Sequence, residues 1–320
     1  MHSHPKGPMS LLVICLAAVP LGAQAPRGVQ LFEAGDWAGA KAELSAVAQR
    51  NDRDARAHYY LGRLAMLDDD ADAAAAQFER AVALEDTASD YHLWYATALS
   101  QQVGRASKLK QPFLAKHVMA EFERAVTLDP RSIEARDPLV DFYSMAPAFM
   151  GGGIDKARDQ AQALARLDAA RGHLAFARLA TAAKDTSTAE REMQAAIASA
   201  PDTLRPYSAL ANWYAKDTRW PEAFAALEPY IKKHPDDPYG PYGIGRLAAL
   251  SGQQLDRGEK GIRAFIATPP KDAGALVLSG AWRRLGLVLE FEGKRAESQS
   301  AIKQSLTIDP RNEEAKKALK

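Results

Sequence analysis

The chain has almost no cysteine. Its 320 residues include one, Cys15, which lies in an apolar stretch near the N-terminus. The rest of the chain therefore offers neither a disulfide nor a cysteine-ligated zinc site. It also contains no HExxH pair, the usual helical zinc motif. The sequence predicts no metal ion and no cofactor.

An excess of charge of one sign is missing as well. The chain has 41 basic and 40 acidic residues, which gives a formal net charge of +1. This balance supplies no long-range field that would draw in a polyanion, so we expect no nucleic-acid partner. No GxSxG elbow and no Walker-type lysine is present, and we expect the chain not to be an enzyme.

A single long apolar run occurs, at residues 10–19. Lys6 precedes it, and Ala23-Gln24-Ala25 follows with the small-x-small pattern of a signal-peptidase site. The run is shorter than the ~20 apolar residues of a membrane-spanning helix. We expect residues 1–25 to be a signal peptide and the bacterial protein to be exported, periplasmic or secreted, with no span in the mature chain. Pro26 would hinder a cut directly before it, so a nearby cut or a retained anchor stays open.

Alanine, in contrast, is abundant, at 63 of 320 residues. It is the best helix former and is depleted in strands. The composition therefore predicts an all-α protein.

Small and large apolar residues recur with a period of 34 residues, seen in units that begin at Ala55, Ala170 and Leu204. Position 8 of a unit is small, position 20 is small and position 24 is large and apolar. In the first of these units the three positions hold Gly62, Ala74 and Phe78. A proline at position 32 ends several units, where it cannot continue a helix.

The pattern resembles the tetratricopeptide repeat (TPR). The resemblance implies a right-handed α-solenoid of helical hairpins whose two helices cross at positions 8 and 20. It implies a scaffold that binds a protein or peptide partner. Predicted units, after the signal peptide and within a solenoid of residues 26–320, are a truncated first unit at 27–54, full units at about 55–88, 89–132, 133–169, 170–203, 204–237, 238–272 and 279–312, and a cap helix at 313–320.

Two units are longer than 34 residues. The third has ten extra residues around 101–113, and the fourth has five around 146–153. We expect both insertions to be loops on one edge of the solenoid. Together they resemble a group of exported bacterial TPR proteins of no established activity. The segments 100–117 and 144–156 are the alternative functional site.

Three smaller motifs could suggest a metal, calcium or phosphate site, but each is better explained by a structural role. His58, His92 and His173 each occupy position 4 of a unit, where the repeat prefers a flat ring, and we interpret them as packed rings. Residues 68–72 lack the glycine and closing glutamate of a calcium loop and predict a solvated turn. Residues 151–153 precede a helix without a phosphate-binding lysine and predict a flexible turn.

The resemblance also implies that positions 2, 5, 9 and 12 or 13 of each first helix line a groove. Basic residues dominate these positions in the later units and acidic residues in the third and fourth. The predicted groove residues are Arg56, Arg63, Glu134, Asp137, Asp141, Arg171, Arg178, Arg205, Asn212, Lys216, Tyr239, Tyr242, Arg246 and Arg283.

These observations favour a non-catalytic interaction scaffold of the bacterial envelope that binds a peptide or protein segment in its groove. Two alternatives remain open. One is an accessory or substrate-binding component of an envelope transport or assembly system. The other is an enzyme built on the insertions. An enclosed pocket with strongly shifted ionisable groups would favour the enzyme.

Overall fold

The structure, a computed structural model, describes residues 26–271 and 273–319, so the predicted signal peptide lies outside the described residues. Over these ranges the chain is all-α, with no strand. The helices are α1 (Arg27–Glu33), α2 (Trp37–Arg50), α3 (Ala55–Leu67), α4 (Ala71–Leu84), α5 (Ser89–Arg105), α6 (Gln111–Leu128), α7 (Ile133–Met145), α8 (Ile154–Leu167), α9 (Ala169–Ala182), α10 (Thr186–Ser199), α11 (Leu204–Lys216), α12 (Trp220–Lys233), α13 (Tyr239–Ser251), α14 (Leu255–Ala267), α15 (Ala275–Phe291), α16 (Arg295–Ile308) and α17 (Glu313–Ala318).

The contacts divide the chain into two compact units, and the division lies within α5. The first unit ends at Gln102, and the second is Val103–Lys320. In the first, Val29, Leu44 and Leu64 belong to a buried cluster. The second has one cluster centred on α9 to α12 and another on α13 to α16. Within each unit, neighbouring hairpins bury apolar side chains against each other, as stacked repeats require.

Small residues allow the helices of a hairpin to approach each other. A Cβ added to Gly62 of α3 would lie 2.6 Å from the Phe78 ring of α4. A Cβ added to Gly286 of α15 would lie 2.5 Å from Ile302 of α16. These are positions 8 and 24 of their units, so the structure confirms the predicted role of the small residue at the crossing.

The insertion of the third unit differs from the expected long loop. Most of its residues extend the helices: α5 has 17 residues and α6 has 18, against 13 in α3 and 14 in α4. Residues 106–110 alone connect α5 and α6. Pro112 does not prevent the extension because it lies in the first turn of α6, where no backbone N–H is needed.

The insertion of the fourth unit forms a short 3₁₀ helix (Ala148–Met150) followed by a glycine turn. Gly151 has a φ of 94°, which favours glycine. A Cβ on Gly152 would lie 1.8 Å from the Ala146 carbonyl oxygen. The Gly153 N–H donates to the Tyr143 carbonyl oxygen at 2.8 Å. Each glycine is therefore part of a specific backbone path.

Candidate binding groove

Three first helices of consecutive hairpins, α7, α9 and α11, lie side by side in the second unit, with α9 in contact with the other two. A cavity of about 550 Å³ opens between them. It brings together seven of the predicted groove residues. They are Asp137, Asp141, Arg171, Arg178, Arg205, Asn212 and Lys216.

The acidic and basic residues of the cavity meet at α7 and α9. Arg178 donates to Asp137, and its Nε lies 2.8 Å from Asp141 Oδ1. Arg171 forms a longer ion pair with Glu134, at 3.4 Å. Arg178 is therefore engaged within the chain, which makes it a poor candidate for pairing with a partner's carboxylate.

Partial burial raises the pKa of the Asp141 carboxyl above its ordinary value. The neighbouring Asp137 carboxylate acts in the same direction, whereas Arg178 opposes it by favouring the charged form. The charged form of Asp141 is therefore less favoured than that of a fully solvated aspartate.

On the α11 side the basic residues are exposed. Arg205, Asn212 and Lys216 make no hydrogen bond or ion pair with the described part of the chain. Lys216 interacts with Asp141 only through the longer-range field. This side of the cavity therefore carries two cations, Arg205 and Lys216, that can bind a carboxylate.

Apolar side chains form the floor of the same cavity. Trp213, Leu174 and Met193 line it and are buried. The Trp213 Nε1–H donates to Thr181 Oγ1 at 3.1 Å, which fixes the indole. None of these residues was predicted from the sequence. Leu174 and Thr181 occupy positions 5 and 12, so the position rule could have found them, whereas Trp213, at position 10, carries no such signal.

Two predicted groove residues, Arg56 and Arg63, lie on α3. Arg63 is enclosed by aromatic rings, with its guanidinium 3.9 Å from the Trp94 ring centroid and an N–H donated to Tyr59 Oη at 2.9 Å. It is a packing residue, because the rings hold the cation by cation–π attraction. Arg56 is exposed beside a shallow cavity that Asn51 and Glu85 also line.

The remaining predicted residues lie at α13 and α15, away from the first cavity. The rings of Tyr239 and Tyr242 both pack against Phe265, and Tyr242 is stacked on it at 4.2 Å. Arg246 and Arg283 line a second cavity with Tyr242. The predicted basic residues of the later units therefore line two separate cavities.

The position-4 histidines serve structure, in a way that the sequence did not predict. His58 and His92 are buried, and each donates from Nε2 to the carbonyl oxygen six residues earlier, at 3.0 and 3.1 Å. Arg136 and Tyr207, also at position 4, donate to the carbonyl six residues before them. The Nδ1 of His173 pairs with Glu192 at 2.8 Å, as the Nδ1 of His58 does with Gln77 at 2.8 Å.

Residues 68–70 of the acidic run form the predicted turn, and Asp72 lies in the first turn of α4. Asp70 is the N-cap of α4 and accepts from the Ala73 N–H at 3.0 Å, and Asp68 pairs with Lys41 at 2.9 Å. Among the described residues no cluster of metal-ligating side chains is found. None of the helices in these ranges combines the length and apolarity needed to cross a bilayer.

Residues 279–312, the hairpin of α15 and α16, match the family model of the tetratricopeptide repeat. This hairpin is a tetratricopeptide repeat, and the described chain has the fold of tetratricopeptide-repeat proteins. Among solved structures, it is similar to a tetratricopeptide repeat protein from Parabacteroides merdae ATCC 43184, at 12% identity and a TM-score of 0.50, covering 91% of this chain and 94% of that one.

A monomeric mutant of IFIT1 with Gppp-AAAA has a TM-score of 0.51 at 14% identity, covering 91% of this chain and 69% of that one. These likenesses extend to the fold, an α-solenoid of TPR hairpins that suits a protein–protein interaction scaffold. A comparison with curated proteins finds no match.

Proposed function

We propose that this TPR protein is a non-catalytic interaction scaffold of the bacterial cell envelope. Its cavity between α7, α9 and α11 binds an acidic segment of a protein partner. The proposal combines the signal-like N-terminal sequence with the charge and shape of the cavity. The partner chemistry follows from the cavity alone.

The observation that carries the proposal is the pair of unpaired cations beside an apolar floor. Arg205 and Lys216 are exposed and have no ion-pair partner in the described ranges, while Leu174 and the fixed Trp213 indole lie in the same cavity. A carboxylate can pair with the cations as an apolar side chain of the same segment covers the floor. Arginine suits this role because its planar fork binds a carboxylate through two hydrogen bonds.

The side of the cavity next to α7 orients the segment. Asp137 and Asp141 lie there, paired with Arg178. Their charge repels acidic side chains, so the acidic end of a bound segment lies toward α11.

The test uses two fluorescein-labelled peptides of equal length, one with glutamates flanking a leucine and one with lysines in their place. We expect the acidic peptide to bind, by fluorescence anisotropy at low salt. The double variant Arg205→Ala with Lys216→Ala should weaken its binding by about tenfold or more, because a charged hydrogen bond contributes ~1.5–3 kcal/mol where water is displaced. Moderate salt should weaken it in the wild type.

The control is the double variant Arg191→Ala with Lys303→Ala, which removes the same charge from exposed positions outside the cavity. It should bind the acidic peptide like the wild type. Equal loss of binding in both double variants would mean that the net charge alone matters, and the proposed site would be wrong. Tighter binding of an RNA oligonucleotide than of the acidic peptide would also contradict the proposal.

A further inference from the structure

A second cavity, of about 440 Å³, lies between α13, α15 and α17 of the second unit. It collects three arginines: Arg246 from α13, and Arg283 and Arg284 from α15. None of the three forms an ion pair with a carboxylate of the described chain. The acidic residue that lines the cavity is Glu314 on α17, and it is bound to Lys317 at 3.0 Å.

Two of the three cations, Arg246 and Arg283, lie in an environment that disfavours their charge. Burial lowers the pKa of Arg246 and of Arg283, and repulsion from Arg284 acts on both in the same direction. Glu314 opposes this effect at Arg283 but does not cancel it. An anion placed among the guanidinium groups would relieve the repulsion and replace lost hydration with charge-assisted hydrogen bonds.

Arg284 is held in place before any ligand arrives. Its Nη1 donates to Tyr242 Oη at 3.0 Å, and the Tyr242 ring is itself buried and stacked on Phe265. One turn earlier, Gly280 leaves the space that this conformation needs, because a Cβ there would lie 2.7 Å from Arg284 Nη1. A fixed guanidinium loses little entropy on binding, so the cavity is preorganised for an anion.

Charge and shape select among anions. The three guanidinium groups carry three positive charges, and Glu314, which is already paired with Lys317, offsets at most one of them. A single monoanionic carboxylate therefore cannot neutralise the cavity. A phosphate monoester carries close to two negative charges at about pH 7 and has three strong acceptor oxygens, which several guanidinium forks can share. Leu276 and Val277 are exposed at the same cavity and offer an apolar contact for the organic group of the ester.

We propose that the cavity formed by Arg246, Arg283 and Arg284 binds the dianion of a phosphate monoester. The same chemistry is present in a small phosphorylated molecule and in a phosphorylated side chain. The site is distinct from the groove at α7, α9 and α11 and does not depend on its function.

The test is isothermal titration calorimetry with phenyl phosphate and benzoate, which share a ring and differ in charge. We expect phenyl phosphate to bind the wild-type protein at least about tenfold more tightly than benzoate. Arg283→Gln should weaken phenyl phosphate binding by about tenfold or more, as expected for a lost charge-assisted hydrogen bond. Gly280→Ala keeps all three charges but displaces Arg284, and it should also weaken binding.

The matched control is Arg295→Gln, on an exposed side chain of α16 outside the cavity, which should bind like the wild type. Far-UV circular dichroism verifies that each variant is folded. A phosphoserine peptide and inorganic phosphate, titrated in parallel, distinguish a phosphorylated side chain from a small phosphorylated molecule. Equal binding of phenyl phosphate and benzoate, no phenyl phosphate binding by the wild type, or full retention in Arg283→Gln would overturn the proposal.

Discussion

At the scale of single residues, the side chain at position 4 of the repeat has a recurring structural role. In four units its side chain donates to the carbonyl oxygen six residues earlier, in the turn that joins one hairpin to the next. The donors are His58, His92, Arg136 and Tyr207. Three different chemistries make the same contact because each is long enough and has an N–H or O–H at its end. An orphan carbonyl of the preceding turn is thereby satisfied.

The glycines allow a prediction in which the same substitution has opposite effects. Gly62→Ala places a Cβ 2.6 Å from the Phe78 ring, so overpacking of ~1–3 kcal/mol should exceed the helix-propensity gain of ~0.5–1 kcal/mol. Gly104→Ala, near the end of α5, meets nothing within 4 Å and should stabilise the protein by about the propensity gain. Urea midpoints of the two variants measure the difference. Stabilisation by both would refute the tight crossing at Gly62.

The residue scale also shows what the sequence could not predict. Positions 8 and 24 follow from the repeat because they reflect the crossing of two helices in one hairpin. The packing of Arg63 does not follow from the repeat, since it depends on the Trp94 ring of α5. Arg284 was missed because it occupies no groove position; it is held at the cavity by its hydrogen bond to Tyr242 of α13.

At the scale of helices, aspartate starts many of them. The N-cap carboxylate accepts from the N–H three residues later in α2, α3, α4, α9 and α10. This contact satisfies one of the unpaired N–H groups of the first turn, and the negative carboxylate interacts favourably with the positive end of the helix dipole. The boundaries of these helices could therefore be read closely from sequence. The structure of the insertion at 101–113 could not be predicted in this way, because α5 and α6 extend into residues that the repeat period assigned to a loop.

Asp185, the N-cap of α10, gives a prediction for pH. Hydrogen bonds from the Thr188 N–H and hydroxyl and from the Ser187 hydroxyl lower its pKa below the ordinary value. A lowered pKa in the folded state stabilises the protein above the ordinary pKa of about 3.9 and ceases to do so as the pH falls through the lowered value. Asp185→Ala should therefore lower the urea midpoint at about pH 7, and the gap to the wild type should shrink below about pH 3.9.

Asp217→Ala is the control for this prediction. Asp217 is an exposed aspartate at the next hairpin turn, and its carboxylate makes no hydrogen bond within the described ranges. Its replacement should change the urea midpoint little at either pH. An equal loss in the two variants would contradict the capping role of Asp185.

At the scale of the whole chain, the repeat pattern accounts for the hairpins but not for how they group. The period predicts hairpin after hairpin, and contact density separates a first unit ending at Gln102 from a second beginning at Val103. The division lies where the 34-residue period is interrupted, inside the long helix α5. Both candidate sites lie in the second unit, and each is built from first helices of neighbouring hairpins. Contacts between repeats, which no single period encodes, therefore create the sites.

The last prediction concerns where the mature chain begins. The apolar run at 10–19 and Ala23-Gln24-Ala25 favour a cut near Ala25. Signal-peptide cleavage must leave α1 intact, because its Val29 is buried and its Gly28 packs closely against α2. A Cβ on Gly28 would lie 2.6 Å from Leu44. We therefore expect mass spectrometry of the native protein to find an N-terminus close to Pro26 and before Gly28. An intact Met1 on protein recovered from the cytosol would rule out export, and a start beyond Val29 would mean that α1 is not needed to cover α2.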